Sequence, residues 1–258
     1  MSYIPREVPE GAIRYNTDSN KMEVWIGDKW MQVAVSSPNL DGGARGIFSG
    51  GGVPSIVNVI QAFNIAVQGN TFDFGDLTEA RYYSGGCSSS TRAVWAGGLN
   101  PGYVDTIDFV TISSTGDATA FGELVGSDRS TIAGLANATR GLFAGGENPS
   151  KVDEIDFITI ASTGNAVDFG NLTQARSTAI GLASPTRGLI GGGNTGSVVN
   201  TIDFVTIAST GNAQDFGDQS QTVYGGGGGG NATRGVMMGL SLIHISEPTR
   251  PLYISYAV

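Results

Sequence analysis

Three aspartates recur at one position of the sequence, Asp108, Asp156 and Asp203, each sixteen residues after an arginine, Arg92, Arg140 and Arg187. A planar guanidinium binds a carboxylate through two parallel hydrogen bonds, so this set predicts repeated Arg–Asp pairs or turn caps that serve the framework. The same aspartates could contribute to a calcium site, but that needs about six to eight hard oxygens on one ion, and the spacing does not show such convergence. Asp-Phe-Gly is spelled at Asp73, Asp168 and Asp215, as in a phosphoryl-transfer metal motif. Its recurrence at a fixed step, without a lysine strand or a catalytic loop, reads as structural. Gly191–Gly196 (GGGNTG) fits a dinucleotide fingerprint, yet no helix is signalled after it and the sister loops do not fit. The Asn-x-Thr triplets at Asn137, Asn171 and Asn231 read as turn residues rather than glycan acceptors. Cys87 is the single cysteine and His244 the single histidine, and His244 lies in an atypical terminal segment. Without it, the commonest general base and the usual serine or cysteine triad are missing. No non-repeated pair of carboxylates stands out for glycoside hydrolysis.

The elements that position these residues form a repeat. Thr186–Thr210 reads TRGLIGGGNTGSVVNTIDFVTIAST, Thr139–Thr163 reads TRGLFAGGENPSKVDEIDFITIAST, and Thr91–Thr115 reads TRAVWAGGLNPGYVDTIDFVTISST. A worn copy begins at Ala44. The arginines Arg45, Arg92, Arg140, Arg187 and Arg234 are 47, 48, 47 and 47 residues apart, and the Phe-Gly pairs at Phe74, Phe121, Phe169 and Phe216 keep the same step. A fixed period in this range is the mark of a repeat architecture.

Composition sets outer bounds. The chain has 258 residues, 14% of them charged, 40 glycines and a net charge of −9. Abundant glycine among Val, Ile, Phe and Thr suits tight turns between short strands. The negative charge argues against nucleic acid or an anionic membrane surface as partner. One cysteine excludes an internal disulfide framework. The start, MSYIPREVPEG, lacks the layout of a secretory signal, and no run approaches the roughly 20 apolar residues of a membrane span. Leu240–Val258 departs abruptly from the repeat. Leu240–Arg250 and Ile254–Val258 read as the translation of a sequencing adapter on either side of an index-sized gap, so residues 240–258 are expected to be foreign to the natural protein, with further repeats in their place.

Residues 1–35 lie outside the period. Ala12–Asn16, Lys21–Ile26 and Lys29–Val33 alternate apolar and polar residues and predict a three-stranded meander with Trp25 and Trp30 as anchors. The stretch PEGAIRYNTDSNKMEVWIGDKWMQV resembles a short module of tail-fibre and other structural proteins of tailed phages. Residues 36–43 (SSPNLDGG) have linker composition. Within residues 44–239 each copy predicts four strands: in the third full copy Ser177–Ala183, Arg187–Gly191, Thr201–Ala208 and Ala213–Phe216. TIDFVTIA carries Ile202 and Phe204 on one face and Val205 and Ile207 on the other, as a strand held between two sheets does.

Four antiparallel strands every 47 residues describe a β-propeller blade. The landmark order resembles the kelch repeat, with Phe74, Phe121, Phe169 and Phe216 near the place of the usual fourth-strand Trp. The wording IDFVTIASTGNA…DFG is similar to kelch-like arrays in virion proteins of marine tailed phages. The fold expectation is all-β, with about four kelch-like propeller blades in an incomplete ring or open arc and a small N-terminal meander. A linear stack of sheets is the alternative. The loops after the Gly-Gly pair differ between otherwise similar copies, which singles out Asn100, Tyr103, Asn148, Lys151, Asn194 and Thr195 as candidate ligand contacts. The resemblance implies a non-enzymatic virion structural or display protein (tail fibre, baseplate or capsid surface). Its expected partners are other virion proteins, copies of itself or a host-surface glycan; no metal or cofactor is implied. A propeller glycoside hydrolase or lyase and a cellular kelch-type interaction module are the alternatives.

Overall fold

The computed structural model describes residues 8–17, 21–32, 45–52 and 54–240. The chain divides into two compact units, residues 1–40 and 41–258. Among the described residues the regular elements are all β-strands, paired antiparallel, and no helix is long and apolar enough to cross a membrane. The linker expected at 36–43 and the segment 241–258 lie outside the described residues.

In the first unit β1 (Ile13–Asn16), β2 (Lys21–Ile26) and β3 (Lys29–Gln32) form a meander in that order. Trp25 stands opposite Trp30, their rings edge to face at 5.3 Å. Arg14 lies 4.2 Å over the Trp30 ring and pairs with Glu23 at 2.8 Å. Hydrogen bonds from Asn16 and then Arg14 hold the Glu23 carboxyl below its ordinary value. None of the described residues of this unit is buried, so cross-strand pairs rather than a core hold it.

The second unit repeats one sheet. Its first copy has β4 (Arg45–Gly51), β5 (Val57–Asn64) and β6 (Phe72–Asp76). Three four-stranded meanders follow: β7 (Gly85–Ser88), β8 (Arg92–Asn100), β9 (Gly102–Thr111), β10 (Thr119–Glu123); then β11 (Ala133–Ala136), β12 (Arg140–Ala144), β15 (Glu154–Thr159), β16 (Val167–Asn171), with a side hairpin of β13 (Glu147–Asn148) and β14 (Ser150–Lys151); then β17 (Ile180–Ala183), β18 (Arg187–Gly191), β19 (Thr201–Thr206), β20 (Gln214–Asp218). The last hairpin is β21 (Tyr224–Gly230) and β22 (Gly235–Leu240).

Each sheet packs face to face on the next, because strand alternation places apolar side chains on both faces. Ile60, Ala62, Phe74 and Leu77 of the first sheet meet Ala93, Trp95, Val110 and Ile112 of the second. Val94, Ile107 and Phe121 then meet Phe143, Ile158 and Ile160, and Leu142, Ile155 and Phe169 meet Ile190, Val205 and Ile207. Each fully buried side chain of this kind contributes about 1.5–3 kcal/mol relative to exposure.

The first strands carry small residues for a steric reason. A methyl group on Gly134 would collide with the Gly86 carbonyl, and one on Gly181 with the Gly134 carbonyl, so β7, β11 and β17 approach backbone to backbone. Tyr83, Thr131 and Thr178, just before these strands, and Gly225, at the start of β21, all have left-handed backbones, with φ of 61°, 57°, 54° and 58°. They form a ladder in which Thr131 donates to the Tyr83 carbonyl, Thr178 to that of Thr131, and Gly225 to that of Thr178.

The outer edge is laced by the recurrent wording. Gly116, Gly164 and Gly211 donate to the carbonyls of Phe74, Phe121 and Phe169 on the preceding sheet. The Phe-Gly pair forms a β-bulge: opposite Ile155 and Asp156 stand Gly170 and Asp168, with Phe169 the extra residue turned into the intersheet core. Asp168 accepts the Gly170 amide at 3.0 Å, and Asp215 accepts that of Gly217 at 2.9 Å. Asp-Phe-Gly is therefore a bulge, and at Asp168 and Asp215 the carboxylate holds the turn of the chain there.

Candidate functional site

The recurrent aspartates are buried, with Asp108 and Asp203 at 0% exposure and Asp156 at 2%. Their partners are Arg81, Arg129 and Arg176, also fully buried, which come from the segments connecting one sheet to the next. The Nη2–Oδ2 distances are 2.9, 2.8 and 2.9 Å. The same nitrogens reach the carbonyls of Trp95, Phe143 and Ile190 on the adjoining second strand. Thr78 and Thr173 donate both backbone N–H and hydroxyl to Asp108 and Asp203. At the middle copy Val125 offers Asp156 its N–H alone. Burial pushes the Asp156 carboxyl above its ordinary value against the opposing pull of Arg129, and burial draws Arg176 below its own against Asp203.

This corrects the pairing expected from sequence. Arg92, Arg140 and Arg187 do not meet Asp108, Asp156 and Asp203. Asp108 stands opposite Trp95 and Arg92 opposite Thr111, three positions away along both strands. An odd offset on a pleated strand puts the two side chains on opposite faces. Arg92, Arg140 and Arg187 instead lie over the rings of Phe109, Phe157 and Phe204 at 4.4, 4.7 and 4.9 Å. Arg45, Arg92 and Arg140 also donate to the main-chain carbonyls of Ile112, Ile160 and Ile207 on the following sheet, at 2.6, 2.9 and 2.9 Å. They are intersheet clamps.

Sequence reasoning missed Arg81, Arg129 and Arg176, although their spacing of 48 and 47 residues repeats the period. They stand between the strands, where Leu77–Arg81 (LTEAR) and Leu172–Arg176 (LTQAR) agree but the middle copy, Leu124–Arg129 (LVGSDR), carries one residue more. The left-handed ladder was also missed, because Tyr and Thr give no sign of such a backbone.

The six variable residues lie on hairpin tips. Asn100 faces Gly102 and Tyr103 faces Leu99 at the end of the β8–β9 hairpin, which extends through the expected loop as strand. Asn148 and Lys151 belong to the β13–β14 hairpin, with Lys151 opposite Glu147. Asn194 is bridged to Val198 and to Ser177. Asn148 donates to the Asp128 carbonyl, Asn194 accepts from Gly196 at 2.7 Å, and the Thr195 amide donates to Ser197 at 3.0 Å. Each hairpin is thus tied to itself or to the connecting segment of its own sheet. Their free chemistry is that of half-buried polar and aromatic side chains that can hydrogen-bond or stack.

Among the described residues no group of three His, Cys, Asp or Glu side chains converges as a metal site would require. Cys87 is half-buried, its sulfur packed against Gly141 of the next sheet, and the burial of that sulfur pushes the thiol up to about 12. No family model matches this chain, and a search of curated proteins finds no relative.

Proposed function

We propose that the chain is an arc of a kelch-like β-propeller acting as a rigid, non-enzymatic display scaffold in a tailed-phage virion, presenting its hairpin tips to a host-surface glycan or a neighbouring virion protein. The phage assignment rests on the resemblance of the N-terminal stretch and of the IDFVTIAST wording. One observation carries the scaffold role. The recurrent Arg and Asp residues are engaged in framework bonds, the Asp-Phe-Gly triplets in bulges and the Thr-Gly turns in intersheet lacing. The hairpin tips are among the places where the copies differ.

Curvature supports an arc over a straight stack. Sheets pack about 10 Å apart, so four intervals in a line would separate the first and fifth copies by roughly 40 Å. Gly228 of the fifth copy nevertheless lines one cavity of about 440 Å3 together with Ile47 of the first and Gly86 of the second. Such a return is the geometry of blades set round an axis.

The test is to screen the purified chain on a glycan array and assay the bound glycans for cleavage. Binding without turnover is the expected result; turnover overturns the display role.

A further inference from the structure

A cavity of about 380 Å3 opens between the first and second sheets, lined by Ser49, Gly51, Gly52, Tyr82, Tyr83 and Ser84. Its size falls at the lower end of the roughly 300–1,000 Å3 of small-molecule pockets. Tyr83 is 61% exposed, with its ring 4.7 Å from that of Tyr82, and Gly52 faces the Tyr82 ring. The Ser49 hydroxyl oxygen is buried and, among the described residues, has no hydrogen-bond partner. Among the described residues, Tyr83 heads the left-handed ladder: its carbonyl is used by Thr131, and its own N–H finds no partner in the series.

Of the lining residues only Gly51 is constant through the copies, and the departures at Tyr83, Ser49 and Ser84 change the chemistry most. Where the chain has Tyr83, the later copies have Thr131, Thr178 and Gly225. Ser49 corresponds to Ala96, Ala144 and Gly191, and Ser84 to Ile132, Ala179 and Gly226. The left-handed backbone belongs to the position, since Thr131 and Thr178 share it, so the ladder needs no aromatic ring there and the Tyr83 ring is left free of framework duty.

We infer that this cavity is a saccharide-binding site that takes a neutral pyranose. The C–H face of the sugar lies on the Tyr83 ring, and its hydroxyls are met by Ser84 and the free N–H of Tyr83. Among the described residues the lining carries no charged side chain, which selects a neutral ligand, and the interleaving of aromatic faces with hydroxyls suits a sugar. The site extends the display reading, yet it stands apart from the hairpin tips, so the two can fail separately.

Saturation-transfer NMR on the full chain with methyl glucoside, galactoside, mannoside and N-acetylglucosaminide tests it. The probes are used on the order of 10 mM, where a millimolar site fills. Transfer to the C–H face of at least one pyranoside is expected in the parent. Tyr83→Gly, whose small residue suits the left-handed backbone as Gly225 does in the last copy, should keep its melting temperature and bind about tenfold more weakly. Tyr83→Phe and Tyr103→Ala should retain the signal, and Ser84→Ala should weaken it. The site is overturned by the absence of transfer from every probe, by full transfer in Tyr83→Gly, or by preference for a proline-rich peptide over the pyranosides. It is also overturned if Tyr103→Ala abolishes binding and Tyr83→Gly does not, a result that leaves the display role intact.

Discussion

Arg81 donates to Asp108 at 2.9 Å with both side chains wholly removed from solvent. The arginine belongs to the segment that leaves the first sheet, while the aspartate sits in the middle of the second. On the main chain, Gly51 of the first sheet donates to the Arg81 carbonyl at 3.1 Å. A single residue thus fastens the exit of one sheet to the centre of the next. The arrangement recurs at Arg129 with Asp156 and Gly98, and at Arg176 with Asp203 and Gly146.

Removing one member of such a pair leaves a buried charge without a counterion. Arg129→Met is expected to destabilise the chain by roughly 3–5 kcal/mol in chemical denaturation. The double variant Arg129→Met, Asp156→Leu should recover most of that loss, because the desolvation cost of both charges disappears together. A double variant as unstable as the single one would show that the pair acts through something other than charge compensation.

Val125 stands where Thr78 and Thr173 supply a hydroxyl to the carboxylate. Val125→Thr should stabilise the protein by about 1 kcal/mol, a rise of about 2–4 °C in melting temperature. The fold holds the Asp156 carboxyl above its ordinary value, so it favours the protonated acid there. That contribution is complete below the unfolded value of about 4 and is lost as pH rises through the folded one. The added hydroxyl serves the carboxylate, so its benefit should be larger at neutral pH than in acid; thermal melts at the two pH values check the sign.

Arg140 stacks on Phe157 and reaches Ile207 on the next sheet, whereas Arg187 stacks on Phe204 and Phe216 within its own. Phe216 is 49% exposed, against 2% for Phe169. Arg140→Ala should therefore cost about 2 kcal/mol, against less than about 1 kcal/mol for Arg187→Ala. Equal losses would mean that the carbonyl contact adds nothing to the ring stacking.

Cys87 should react slowly with thiol reagents in the folded state. With its thiol pushed up to about 12, the thiolate fraction at pH 8 falls by roughly three orders of magnitude relative to an ordinary cysteine, partly offset by a more nucleophilic thiolate. A net slowing of about fiftyfold is expected, abolished in denaturant. A reaction as fast as free cysteine would place the thiol in water.

The amino-acid sequence by itself determined the period, the strand type and the division into copies. Those follow from alternation and glycine placement, which are local: TIDFVTIA reads as a doubly covered strand because Ile202 and Val205 face opposite ways whatever surrounds them. Only tertiary structure decided which charges meet. Arg92 and Asp108 are neighbours by spacing, but the hairpin register sets them on opposite faces, and Arg81 reaches the aspartate from the preceding connection. Bringing Tyr83, Ser49 and Ser84 to one cavity likewise needed two sheets to stack. A face or a partner 27 residues away is set by register and packing, and neither is written in any single stretch of chain.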